Sequence, residues 1–390
     1  MASGTRETLG GTGYFRIANV ADQWTFVRPD GGEFLCLGLN HVDESDLRYE
    51  HNIDIWKNRY GSRKEWMRKG PFLDLKDWGF NTLGWTQQFV SGEFGDAGNT
   101  DFDWFGTVFN HGHSPGWSST ELTSFGMPYV ANLSVAQIED WRGSPTFPDV
   151  FSYDFDDWCA YLARSICTEH AESRDLLGYF FVDIPAWVPH ASGRFFPGME
   201  GLTGDRYDNR LNEIATQYYK TVAGHIRKHD KNHLIFGDRF NGNKGFPEPV
   251  LDAMSKYVDA IPIQYFCGPT NENREEMIAV YAKANRITQK PLMNVDIGNW
   301  TATTKNPERA SGLASQADRG RNYAASLEVL TEQSWFIGWQ WCGYIENLAR
   351  GWGIKDPWDN PYEDFVQYIR GSNHDAVVRH AKKFNSKGVK

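Results

Sequence analysis

The chain lacks any paired-cysteine framework. Five cysteines, Cys36, Cys159, Cys167, Cys267 and Cys342, are spread over 390 residues, odd in number and with no CxxC. That pattern excludes a disulfide scaffold or thiolate zinc module and predicts buried free thiols. No apolar run is long enough to span a bilayer, and MASGTRETLGG carries no signal-peptide h-region. The expected location is cytoplasmic, or periplasmic or secreted if a leader once preceded this start. A basic stripe is also missing, and the net charge is −10. Nucleic acid and anionic membranes are therefore not expected partners. There is no internal repeat, low-complexity linker, GxSxG elbow, HExxH pair or P-loop. The glycines at 10, 11 and 13 neither follow a strand nor open a helix, so they form no phosphate loop. His111 and His113 form an HxH in a loop rich in Gly, Ser and Asn. No second strand-end His pair accompanies them, so neither a metal site nor a cofactor is expected.

What the chain does have is aromatic surface. Aromatics make up 15% of it, with 16 Trp, more than a core of this size usually needs. Flat rings stack on the C–H faces of pyranoses, which points to a carbohydrate partner, although most of these residues should pack the core. Hydrophobic residues at 40% allow a large core.

From residue 33 a strand-then-helix rhythm begins. Strands are expected at Glu33–Asn40, Thr82–Trp85, Tyr129–Leu133, Leu177–Asp183, His233–Arg239, Ala260–Phe266, Pro291–Asp296 and Phe336–Trp341. Helical spacing falls between most of them, at Asp154–Ala171, Glu213–His229, Arg274–Asn285 and Ala314–Gln333. Eight such units predict an α/β fold, a single (β/α)8 TIM barrel over 33–390 with a C-terminal helical segment. Residues 1–32 read as a small N-terminal β appendage, with strands at Gly13–Ile17 and Trp24–Val27 and a Pro29-Asp30-Gly31-Gly32 turn. Long loops are expected at Asp43–Arg68, Thr86–Met127 and Pro185–Arg206, all after strand ends.

A barrel of this kind places its chemistry at the C-terminal ends of its strands. Asp183 closes the apolar run LLGYFFVD and Asp296 closes KPLMNVD. Two carboxylates delivered by different strands are the minimum equipment for hydrolysing a glycosidic bond. A lone strand-end acid often caps a helix or pairs with an arginine, so it is the matched pair that carries the expectation. Around them the strand ends supply Asn40, His41, Trp85, Gln88, Trp187, His190, Asp238, Arg239, Tyr265, Trp300, Trp339, Trp341 and Glu346. This mixture of hydrogen-bonding and aromatic groups suits a hydroxyl-rich ligand. Asp183 is expected as general acid and Asp296 as nucleophile or base, with the others holding hydroxyls and forming subsite walls. A lyase or isomerase acting on a sugar acid needs a metal cluster or a strand-end lysine, and Lys290 lies at the start of its strand.

The segments EHNIDIWKNRYGSRKEWMRKG, LKDWGFNTLGWTQQ, PDVFSYDFDDWCAYLARSICTEHA and GYFFVDIPAWVPH resemble agarases, and the likeness extends to the exo-β-agarase family of (β/α)8 glycoside hydrolases. It covers roughly 14–370. It implies a retaining, exo-acting glycosidase for galactan-type, agarose-like oligosaccharides. Tyr265 and Trp341 match positions that support the nucleophile and the sugar. Two departures stand out. Pro185 occupies the place of the family's acid/base Glu after strand four, and Asp296 that of the nucleophilic Glu on strand seven. An Asp is one C–C bond shorter than a Glu, ~1.5 Å of reach, so the gap between the acids widens and inversion becomes an alternative to retention. Three readings stay open: the two aspartates work as the pair, a loop residue such as His190 or Glu346 supplies the acid, or the barrel binds carbohydrate without cleaving it. A homo-oligomer is compatible with the pattern.

Overall fold

A computed structural model describes residues 9–86, 117–136, 138–139, 147–187, 198–309, 312–346 and 352–386. Eleven strands are present among them. Three form an antiparallel sheet, β1 (Arg16–Val20), β2 (Gln23–Val27) and β3 (Glu33–Phe34). Eight form a closed parallel barrel: β4 (Cys36–Asn40), β5 (Thr82–Leu83), β6 (Tyr129–Asn132), β7 (Leu176–Asp183), β8 (Leu234–Asn241), β9 (Ile261–Gln264), β10 (Leu292–Ile297) and β11 (Phe336–Cys342). Each strand pairs with the next in sequence, and β11 closes on β4 with Cys342 opposite Asn40. All eight expected barrel strands occur, with shifted borders.

The first of them divides. Glu33 and Phe34 pair with β2, and only Cys36–Asn40 joins the barrel. The appendage therefore reaches two residues further than the turn signal indicated. It stoppers the lower end of the barrel. Phe15, Phe26 and Phe34 share one apolar cluster with Leu177, Leu234, Ala260 and Ile337, which lie at or near the starts of their strands. Phe26 meets Phe236 edge to face at 6.1 Å. With that end filled by aromatic rings, the mouth at the C-terminal ends of the strands is left for a site.

Between strands, helices cover the barrel. The longest, Asp205–His229, buries Leu211, Ile214, Ala215, Tyr218, Tyr219, Val222 and Ile226 along one face, the 3.6-residue period of an amphipathic helix. It starts eight residues before the expected Glu213. The C-terminal helix Glu363–Ser386 fills the slot between helices Gln316–Thr331 and Pro71–Trp78. Asn373 fastens it to both, accepting from Tyr323 Oη at 2.6 Å and donating to the Trp78 carbonyl at 3.0 Å. The segment Asp43–Arg68, expected as a loop, instead contains helices Ser45–Arg48 and Ile53–Arg59 and the start of Arg63–Lys69. The last of these is capped by Ser62, whose hydroxyl accepts from the Glu65 N–H. Buried Glu44 orders the same region by accepting from Arg63 at 2.9 Å and Arg48 at 3.4 Å. All five cysteines are buried, and none is joined in a disulfide. Among the described residues no helix is long and apolar enough to cross a membrane.

Candidate active site

The inner face of the barrel changes phase just below the mouth. Phe180, Phe236 and Met293 point into the inner cluster. Strict alternation would turn the residues three positions later outward. Register shifts between β7 and β8, between β9 and β10, and between β10 and β11 break the alternation. Asp183, Arg239 and Asp296 consequently all face the barrel axis. Bulges at barrel rims re-aim side chains in this way. On β8 the change falls at Gly237, whose φ is +78°.

Arg239 lies between the two acids. Its Nη1 donates to Asp183 Oδ1 at 2.9 Å, and its Nη2 lies 3.6 Å from Asp296 Oδ2 and donates to the Val295 carbonyl at 2.6 Å. With a guanidinium ~2.3 Å across, the two contacted carboxylate oxygens are at most ~9 Å apart. Both the ~5 Å spacing of retaining pairs and the wider spacing of inverting pairs fit under that limit. The guanidinium is fully buried and sits 4.4 Å over the Trp85 ring and 5.8 Å from that of Phe180. Trp85 is thus the floor of the arginine, 3% exposed, and no sugar platform.

The acids have further supports. Gln264 Nε2 donates to Asp183 Oδ1. Among the described residues no group bonds Asp183 Oδ2. Asn40 Nδ2 donates to Asp296 Oδ1 at 3.2 Å and to the Val295 carbonyl at 2.9 Å, while its Oδ1 accepts from the Trp85 N–H at 2.8 Å. Asn40 therefore acts through Asp296. The residues following Asn40 and Asp183 both have positive φ, +51° at His41 and +33° at Ile184. Such strain in non-glycine residues gathers at functional sites. His41, Asp296 and Cys342 bring an imidazole nitrogen, a carboxylate oxygen and a thiol sulfur within 4.8 Å of one another. That grouping is invisible along the sequence, where the three residues stand on β10, β11 and just past β4.

Several expected ligand contacts are corrected. Asp238 points away from the axis and is fully buried. It accepts from Trp187 Nε1 at 3.0 Å, Tyr219 Oη at 2.7 Å and Tyr218 Oη at 3.2 Å. Burial pushes its carboxyl up to about 6 even against these three donors. Trp187 is buried with it, 4.6 Å from Phe147. Trp339 and Trp341 stack 6.0 Å apart and pack on Tyr323, beneath the outer helices. The inward residues of β11 are instead Gly338, Gln340 and Cys342. Gln340 Cγ lies 2.9 Å from where a Cβ on Gly38 would stand, and Gly338 faces Met293 and Cys36. Tyr265 packs on Tyr281, its ring 6.4 Å away, and its N–H donates to the Asp296 carbonyl at 3.1 Å. Its support of Asp296 runs through the backbone. Glu346 is buried and accepts from Thr303 Oγ1 at 2.5 Å, Asn306 Nδ2 at 2.5 Å and Tyr362 Oη. It ties the loop after β10 to the loop after β11. Gln88, His190, His111 and His113 lie outside the described residues.

Trp300 does sit at the mouth, partly exposed, in a group that the sequence did not announce. Trp352 lies 5.2 Å from Trp300 and 5.9 Å from Phe266, with the Arg309 guanidinium 5.5 Å over the Trp352 ring. These rings follow three adjacent strands, β9, β10 and β11. Gly298 lies between these rings and Cys342, since a Cβ there would stand 3.2 Å from the Phe266 ring and 3.7 Å from Cys342 Cβ. At the same rim, just past the end of β4, desolvation holds Asp43 up at about 6 and Asp46 well above the usual carboxylate range, with neighbouring acids adding to both shifts.

No family model matches the chain. It is 20% identical to beta-agarase B of Vibrio sp. (strain JT0107), an alignment that takes in 96% of this chain and 49% of the relative. The chain thus spans about half the length of that protein. The solved structure of an agarase superposes with a TM-score of 0.72 at 17% identity, covering 96% of this chain and 65% of the other. An exo-beta-agarase superposes at 0.71 with 17% identity, over 96% of this chain and 66% of that one. Over nearly its whole length, in sequence and in fold, the chain is agarase-like.

Proposed function

We propose that this chain is a glycoside hydrolase that removes units from the ends of galactan-type, agarose-like oligosaccharides, with Asp183 and Asp296 as its working carboxylates. The observation that carries the reading is the convergence of both acids on Arg239 at the C-terminal end of the barrel strands. As general acid Asp183 carries the proton, so the negative charge beside the reacting carbon is that of Asp296, next to the Arg239 guanidinium. Cleavage passes through an oxocarbenium-like transition state, and fixed negative charge beside it stabilises the developing positive charge. Asp296, held by Asn40, attacks the anomeric carbon or draws a proton from water. Asp183, anchored through Oδ1, donates a proton from Oδ2 to the leaving oxygen as the glycosidic C–O bond breaks. Phe266, Trp300 and Trp352 supply faces for stacking. The agarase neighbours support the substrate class, and the exo-beta-agarase supports the end-acting mode.

A second reading, a carbohydrate-binding barrel without turnover, is favoured by two features. The shared arginine occupies both acids, and Pro185 stands where the family's acid/base Glu would be. Incubation with agarose-derived oligosaccharides and a panel of aryl glycosides separates the two. Release of reducing sugar that Asp296→Asn abolishes supports hydrolysis. Sugar affinity without release supports the binding barrel.

A further inference from the structure

We propose that His41, Asp296 and Cys342 bind a zinc-class divalent cation, and that the bound ion shuts off the Asp296 carboxylate. The second half rests on the reading of Asp296 given above, and the first half does not.

The three donor atoms lie within 4.8 Å of one another. They come from the ends of three neighbouring strands, in the order β10, β11, β4. Cys342 is directly opposite Asn40, the residue before His41, and Trp341 is opposite Ile297, the residue after Asp296. Sheet pairing on both sides therefore sets the donors at one level of the barrel before any ion arrives. Tetrahedral zinc, with bonds of roughly 2.0–2.3 Å, holds its ligands roughly 3.3–3.8 Å apart. Closing from the present separation is within side-chain rotation.

The donor set selects the metal. A thiol sulfur and an imidazole nitrogen beside one carboxylate suit zinc and are poor partners for magnesium or calcium, which take oxygen. Three protein ligands leave one coordination position open, as in exchangeable rather than closed structural sites. Asn40 supplies the outer support, orienting Asp296 through the bond to Oδ1 at 3.2 Å. The nearby Arg239 does not exclude the ion. Each carboxylate oxygen has two lone pairs, so Asp296 can keep Arg239 Nη2, now 3.6 Å from Oδ2, while giving a lone pair to a metal. Cys342 has no part in the proposed hydrolysis, and the zinc site supplies a role for a thiol placed at the mouth.

The test titrates zinc chloride into the full chain by calorimetry and follows cobalt(II) by absorption, where a thiolate-to-cobalt band reports sulfur ligation without any turnover. The wild type is compared with Cys342→Ser and Cys342→Ala, each first checked for folding by circular dichroism. The expected result is one ion per chain, a sulfur band, and binding weakened at least ~100-fold in both variants. If an oligosaccharide is cleaved, zinc should inhibit the wild type and spare Cys342→Ser, whose metal-free activity is unchanged. Absence of a sulfur band, or equal zinc affinity in wild type and both variants, overturns the site. Zinc bound through Cys342 to an enzyme that keeps full activity overturns the blocking of Asp296. Binding lost in the variants of a protein that cleaves nothing upholds the site and overturns the hydrolase reading instead.

Discussion

Asp183 and Asp296 differ in how they are held, and that difference makes their roles separable. Asp296 is gripped at both oxygens, by Asn40 at 3.2 Å and by Arg239 at 3.6 Å, whereas Asp183 is anchored through Oδ1 alone. Asp→Asn keeps the shape and an acceptor oxygen while removing the charge. Each of Asp183→Asn and Asp296→Asn should lower kcat by ~10³-fold or more with little change in melting temperature. Near-normal turnover in either variant removes that residue from the chemistry. Gly84 offers an indirect probe. A Cβ at this position would lie 2.1 Å from Asn40 Oδ1 and 3.1 Å from the Leu39 carbonyl oxygen. Gly84→Ala must push the Asn40 side chain aside, loosening Asp296 without touching it. The expected loss is ~10²-fold in kcat, the size that follows a misplacement of about 1 Å. An alanine variant with wild-type kcat would show that Asn40 does not position the carboxylate.

The elements were far easier to read than the side-chain phase within them. Strand existence followed from short apolar runs that each ended in a polar group, and the barrel followed from their alternation with helical spacing. The phase change at the rim left no such trace. Trp339 and Trp341 looked like subsite walls because they stand at a strand end, but the shift along β11 turns them under the helices and turns Gln340 and Cys342 inward. Asp238 and Arg239 are adjacent, and nothing in the local pattern says which one faces the axis. Arg239 does so because Gly237 takes φ +78°. A Cβ there would meet Met254 Sδ at 2.9 Å and Val258 Cγ1 at 3.0 Å. Gly237→Ala should therefore cost roughly 1–3 kcal/mol in chemical denaturation and lower activity through Arg239. Full stability in that variant would mean that β8 tolerates regular alternation. Trp352 and Phe266 were missed for another reason. Their contact with Trp300 joins loops far apart in sequence, and no spacing rule records it.

At the scale of the whole molecule, the appendage and the C-terminal helix brace the end of the barrel opposite the site. They meet where His380 Nε2 and Thr25 Oγ1 lie 2.9 Å apart. Burial lowers the His380 imidazole from its ordinary 6.5 to about 4. Above pH 6.5 the ring is neutral in both folded and unfolded chains and costs nothing. As pH falls from 6.5 toward about 4, the unfolded chain takes up a proton that the folded chain refuses, so stability drops over that window. The loss is on the order of 3 kcal/mol. His380→Gln should flatten this part of the stability profile, and parallel profiles for the two proteins would rule out His380 as the acid-sensitive group. The paired acids lie at the opposite end of the barrel from this brace. The most direct test is to incubate the full chain with agarose-derived oligosaccharides and follow the anomeric protons by NMR as product forms. The expected result is stepwise release of small units from the chain end, lost in both Asp183→Asn and Asp296→Asn. Unchanged oligosaccharide bound to folded, wild-type protein would contradict it.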